Sequence, residues 1–157
     1  ARGVITRGFA AEKLNKVVFT AVATNAGGGR ANAKVVSHGD NAFLPELAVE
    51  KHPNQGGTGE GTNPEELFAA GYASCFNGAL QFVAGNNKIE CGASETTAHV
   101  SFGPTDSGVG IAVRLDVAIE GVDDATAKKL GELTHDFCPY SKATRGNIEV
   151  EINASSK

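Results

Sequence analysis

The stretch from Thr62 to Asn86, TNPEELFAAGYASCFNGALQFVAGN, constrains this chain more than any other. Asn63 is a good N-cap, and Pro64 takes the first helical position, where a missing N–H costs nothing. Glu65 and Glu66 put negative charge in the first turn, where the helix dipole favours it. Leu67, Phe68, Gly71, Cys75, Ala79, Leu80 and Val83 recur at helical spacing over about five turns. The Gly85-Asn86-Asn87 run ends the pattern. Few polar side chains interrupt the middle, so this helix is expected to be buried on most sides. A helix of that kind needs more cover than one small sheet supplies, which predicts a homodimer in which two such helices meet.

The remaining elements are strands with helices between them. Val17 to Thr24 reads as a strand, Gly27-Gly28-Gly29-Arg30 as a flexible turn, and Ala33 to Ser37 as the returning strand of a hairpin. Phe43 to Val49 is a further short strand interrupted by Pro45, and Lys51 to Gly61 is a polar, glycine-rich loop. Thr96 to Phe102 and Ile111 to Ile119 alternate, the second with Ile111, Val113, Leu115, Val117 and Ile119 on one face. Asp123 or Asp124 caps a second helix, with Leu130, Leu133 and Phe137 on its apolar face and Pro139 at its end. Asn147 to Ile152 is the last strand. The strands fall in antiparallel-looking groups, which is an α+β pattern.

The length of 157 residues favours one domain, taken as residues 17–157 behind an N-terminal arm, residues 1–16. A net charge of −4 and the lack of a basic patch argue against nucleic acid. No uninterrupted apolar run approaches the roughly 20 residues of a membrane span. Three scattered cysteines, Cys75, Cys91 and Cys138, do not make a secreted disulfide scaffold, so an intracellular reducing compartment is expected, cytoplasm or mitochondrion. The arm carries Arg2, Arg7, Lys13 and Lys16 against one acid, Glu12. Two readings of it stay open, the remnant of a mitochondrial targeting segment and an ordinary arm.

Residue by residue, bland roles compete with chemical ones. A cysteine in an apolar helix, such as Cys75, is more often filling than nucleophile. Cys138 stands at a helix end before Pro139, where a thiol is expected to be reachable. Cys91 receives no role. His135 and Cys138 with another cysteine would make a weak zinc site, since no C-x-x-C occurs; His135 reads better as a cation near a helix C-terminus or as an exposed polar residue. Arg30 alone is a turn arginine, and Glu65 alone is an acid complementing the dipole.

Two long segments change that balance. TNPEELFAAGYASCF at Thr62–Phe76 and HDFCPYSKATRGN at His135–Asn147 resemble the two signature segments of the organic hydroperoxide resistance (Ohr) branch of the OsmC/Ohr family. The Gly28-Gly29-Arg30 hairpin fits as well. The likeness runs from about Lys16 to the C-terminus, departing at the arm, at the longer His52–Gly61 loop and at Cys91. It implies an intertwined homodimer with antiparallel sheets around a long central helix. It further implies a thiol peroxidase for organic hydroperoxides, fatty-acid hydroperoxides included. Cys75 would be the peroxidatic cysteine, Cys138 the resolving cysteine, Arg30 the activating cation and Glu65 the acid holding Arg30. No cofactor is bound; the co-substrate is a dithiol, dihydrolipoamide or a lipoylated protein. Phe68, Phe76 and Phe82 are candidates to line the substrate site.

These residue types suit the chemistry. Peroxide reduction needs a thiolate, burial disfavours one, and a guanidinium beside the sulfur reverses that. A buried arginine in turn needs a carboxylate. Glu65 and Cys75 are ten residues apart, about 15 Å of helical rise, so one arginine hardly reaches both within one chain. The Glu65 serving Cys75 is therefore expected from the partner subunit. Two other classes remain as alternatives: a non-catalytic lipid or acyl binder on the same fold, and a zinc-stabilised interaction domain.

Overall fold

The computed structural model describes residues 13–39 and 42–157. Most of the expected arm, including Arg2, Arg7 and Glu12, lies outside the described residues. The elements run β1 (Val22–Gly27), β2 (Asn32–His38), β3 (Leu47–Glu50), a 3-10 turn (Pro53–Gln55), α1 (Pro64–Asn86), β4 (Ser94–Thr105), β5 (Gly108–Ile119), α2 (Asp124–Phe137), α3 (Pro139–Thr144) and β6 (Val150–Ser156). They form two three-stranded sheets, β1-β2-β3 and β4-β5-β6, and the fold is α+β as expected.

The first sheet is an antiparallel meander. Its opening hairpin turns on glycine: Gly27 and Gly29 have φ of +113° and +64°, and a Cβ on Gly28 would lie 2.8 Å from the Asn32 carbonyl oxygen. Arg30 follows directly. The first strand starts at Val22 rather than Val17, because pairing with β2 begins at Val22↔His38. Without a partner strand, the valines of residues 17–21 have no ladder to join, whatever their propensity. All of β1 is solvent-exposed, and in β2 and β3 only Ala33 and Val49 are buried.

Helix α1 begins as its sequence dictates. Asn63 Oδ1 accepts from the Glu66 N–H at 2.9 Å, and Thr62 Oγ1 donates to the Glu66 carboxylate at 2.6 Å. It ends at Asn86, just before Lys88 takes a left-handed conformation, φ 54°. Its burial within the chain is one-sided. Tyr72, Phe76 and Leu80 are fully buried, with Ala79, Val83 and Ala84 beside them, but Ala70, Ser74, Gly78 and Phe82 on the opposite side face solvent. One face, not most of the circumference, is covered within the chain. The helix also meets the length and hydropathy of a membrane span, 23 residues with a mean hydropathy of 1.2, which counting uninterrupted apolar residues missed. Its packing against β4, α2 and α3 makes it a core helix.

The second sheet supplies that core. Val113, Leu115, Val117 and Ile119 of β5 point inward and are buried, with Ile111 half-buried at the strand's start. Asp123 caps α2, accepting from the Thr126 N–H at 2.8 Å. Gly131 lets α2 lie against β6, since a Cβ there would meet Ala154 Cβ at 2.9 Å. One pairing is not antiparallel: β6 returns parallel to β5, because two helices intervene and a helical crossover brings strands back in the same direction. The last strand falls at Val150–Ser156, later than Asn147–Ile152, and Pro139 opens a third helix rather than only ending the second. Phe137, expected in the core, is 44% exposed; its ring stacks on Phe82 at 4.9 Å, forming a surface pair.

Candidate active site: a dithiol and a separate arginine–glutamate pair

The middle of α1 and the α2–α3 junction converge on two sulfurs. Cys75 and Cys138 are free thiols, 63 residues apart in sequence, with Sγ atoms 3.6 Å apart. Their exposures invert the expectation. Cys138 is fully buried, while Cys75 is half-buried and closer to solvent. The reason is α3: the Cys138 N–H donates to Thr134 O at 2.8 Å and its carbonyl accepts from the Lys142 N–H at 2.9 Å, so the residue is enclosed between two helices.

A buried hydroxyl cluster fixes α3 to α1. Tyr72, one turn before Cys75, has its hydroxyl 2.8 Å from Ser141 Oγ and 3.3 Å from Thr144 Oγ1. Phe68, Tyr72 and Tyr140 pack ring on ring at 5.8–6.1 Å. Gly71 admits Tyr140, whose hydroxyl would lie 3.1 Å from a Cβ at that position. Sequence reasoning did not single out Tyr72, Ser141 or Thr144; their only signal is polar atoms within otherwise apolar or helix-turn segments. Of the three phenylalanines expected to line a site, Phe76 is fully buried, Phe82 is on the surface, and Phe68 packs beside the thiols' aromatic cluster.

Electrostatics within the chain do not favour a Cys75 thiolate. Burial pushes its pKa above the ordinary thiol value. A hydrogen bond from the Tyr140 backbone N–H pulls the other way, and Cys138 adds to the upward shift.

The cation expected to reverse this is elsewhere. Arg30 Nη2 donates to both carboxylate oxygens of Glu65, at 2.9 and 2.7 Å, in a partly buried pair. Its guanidinium also lies over the Phe102 ring, 4.6 Å from the centroid. Among the described residues, Arg30 has no hydrogen bond or ion pair to Cys75 of its own chain. The structure therefore brings Arg30 to Glu65 and Cys75 to Cys138, and does not bring the two pairs together within one chain. Phe102 was not anticipated, since a strand aromatic carries no mark of its partner. A cavity of about 680 Å³ opens beside the ion pair, lined by His52, Gln55, Glu65, Ala69, Val100 and Phe102.

The other candidates resolve simply. His135 stands in the last turn of α2, half-buried rather than exposed; burial, then the Arg145 charge, hold its pKa below the ordinary value, against a smaller upward pull from Asp136. Among the described residues, no three His, Cys, Asp or Glu side chains gather as a metal site. Cys91 lies in a loop, half-buried at the margin of the core.

The OsmC-like protein family matches residues 57–153. The organic hydroperoxide resistance protein of Xanthomonas axonopodis pv. citri is 44% identical over 138 residues, 87% of this chain and 94% of that one. Among solved structures, the organic hydroperoxide resistance protein of Elizabethkingia anophelis superposes with a TM-score of 0.82 at 43% identity, over 90% of this chain and 99% of that chain. OhrB of Bacillus subtilis superposes with a TM-score of 0.76, also at 43% identity, over 90% of this chain and all of that one (100%). A matched signature region, an α+β fold and near-complete coverage agree, and the chain belongs to the OsmC-like family, in its organic hydroperoxide resistance branch.

Proposed function

We propose that this protein is a cysteine-based peroxidase that reduces organic hydroperoxides, fatty-acid hydroperoxides among them, to alcohols. The observation that carries the reading is the dithiol: two free sulfurs 3.6 Å apart, one reachable and one enclosed. The names of the relatives, organic hydroperoxide resistance proteins, support the substrate class.

The reaction runs in three steps. The Cys75 thiolate attacks the terminal peroxide oxygen, the O–O bond breaks, and the alkoxide leaves and is protonated to the alcohol. Cys75 is then a sulfenic acid. Cys138 sulfur attacks it, water leaves, and a Cys75–Cys138 disulfide forms. An external dithiol, dihydrolipoamide or a lipoylated protein, reduces the disulfide by two exchanges and is itself oxidised to its disulfide. The reading sets this cycle in a reducing intracellular compartment, cytoplasm or mitochondrion.

Forming the thiolate needs a cation at Cys75, and the chain's own arginine is paired elsewhere. The proposal therefore includes a homodimer in which the Arg30–Glu65 pair of one subunit serves the Cys75 of the other. The exposed β1–β3 sheet and the uncovered face of α1 support it, as surfaces a second copy would cover. Native mass measurement and mixing of variants test this part. Cys75→Ser and Arg30→Ala subunits, each impaired alone, should regain activity when mixed; a mixture no better than its components rejects service across the dimer.

The central test is mass spectrometry of thiols before and after one equivalent of an organic hydroperoxide, without reductant. A Cys75–Cys138 disulfide with Cys91 still free is the expected result. Three unchanged thiols would reject the peroxidase and favour an acyl-binding protein.

A further inference from the structure

We infer that Phe102 is a positioning residue for Arg30, fixing the plane of the guanidinium and so where its unused donors point. The inference rests on the peroxidase reading and adds a residue to it. Glu65 holds Arg30 through one nitrogen only: Nη2 reaches both carboxylate oxygens, at 2.9 and 2.7 Å. Such a contact fixes a point. A fork in which two nitrogens meet two oxygens would fix a plane, and this pair is not a fork. The backbone gives little help, because Arg30 follows a glycine run whose conformations are permissive, with φ of +113° at Gly27 and +64° at Gly29.

The missing constraint comes from β4. Phe102 is paired to Ile111 across the β4–β5 ladder, and β4 packs on α1, so its ring stands on a rigid platform. The guanidinium carbon lies 4.6 Å from the ring centroid. A face contact with an aromatic ring attracts the cation without occupying any in-plane N–H. Among the described residues, Nε and Nη1 of Arg30 have no hydrogen-bond acceptor. Glu65 thus sets where the cation is, Phe102 sets how it is turned, and the donors left over are those that can face an anionic sulfur or a departing alkoxide.

The test uses the full chain and two readouts, the rate of Cys75 oxidation by cumene hydroperoxide in single turnover and the pH midpoint of Cys75 alkylation. Phe102→Leu should slow oxidation about fivefold, the scale of one lost cation–π contact, and move the alkylation midpoint to higher pH. Phe102→Tyr keeps the ring and should match the wild type on both. In an Arg30→Ala background, Phe102→Leu should change neither readout further. Phe102→Ile replaces Phe102→Leu if the latter melts early. Wild-type behaviour of Phe102→Leu, equal impairment of Phe102→Tyr, or an undiminished effect without Arg30 would each overturn the inference. A wild type that left peroxide unconsumed would instead overturn the parent reading, and the alkylation midpoint would still decide whether Phe102 governs Arg30.

Discussion

The thiol pair and the arginine–glutamate pair are built in opposite ways. Cys75 and Cys138 sit where α1, α2 and α3 close on one another, beside fully buried Tyr72, Phe76 and Leu80 and a buried hydroxyl cluster. Arg30 sits at the tip of a hairpin whose sheet packs chiefly against itself, and few side-chain contacts hold it there. The geometry of the thiol pair is thus a property of the core, and that of the cation rests on two side chains, Glu65 and Phe102. A reaction that used both would depend more steeply on the sulfur separation than on the cation's placement, because a charge acts over a longer range than a forming bond.

The largest effects are expected at the sulfurs. Cys75→Ser should abolish peroxide turnover, measured by lipoamide-linked consumption. Cys138→Ser should consume about one equivalent of peroxide and then stall as Cys75 overoxidises. Sustained cycling in either variant would remove that residue from the mechanism.

Next comes stability. Leu80→Ala, in the core under the thiols, should cost about 2–5 kcal/mol in urea unfolding. Val22→Ala, on the exposed sheet, should cost no more than about 0.5 kcal/mol in a lone chain. A larger, concentration-dependent loss for Val22→Ala would show that a second copy covers the sheet.

Smaller effects refine the picture. Tyr72→Phe leaves Ser141 short of a partner and should cost about 1–3 kcal/mol, with slower disulfide closure as α3 loosens. Asn63→Ala removes the cap of α1 and should cost about 1 kcal/mol with little change at the sulfurs. The pH dependence separates the two regions. Burial raises the Cys75 pKa in its own chain, so without the cation the thiolate appears only as pH climbs beyond the ordinary thiol range. Alkylation of Cys75 in Arg30→Ala should therefore begin at higher pH than in the wild type; an unchanged profile would mean the cation does not reach the sulfur.

Legibility in the sequence follows the same division. The start of α1 was readable to the residue because capping is local: Asn63, Pro64 and Glu66 carry their own instructions. The inward face of β5 was readable because alternation is local too. Strand ends were not, since pairing decides them: β1 waits for β2, and β4 and β5 extend through polar residues to Thr105↔Gly108. The exposure of Cys138 was misjudged because Pro139 both ends one helix and begins the next. The two signature segments gave Glu65, Cys75 and Cys138, and the Gly28–Arg30 hairpin gave Arg30, only through resemblance. Nothing in their spacing places Cys75 3.6 Å from Cys138, or predicts that Arg30 would lie on Phe102.

The unequal burial of the two sulfurs has a consequence for the return half of the cycle. A bond between Cys75 and Cys138 would offer an incoming dithiol only one sulfur to attack, because the other is walled in by α2 and α3. Reduction would then have a fixed direction: the reductant joins Cys75, and Cys138 is always the leaving thiol, returned to the interior where no solvent-borne thiol can trap it. The fold would choose which half of the disulfide talks to the outside.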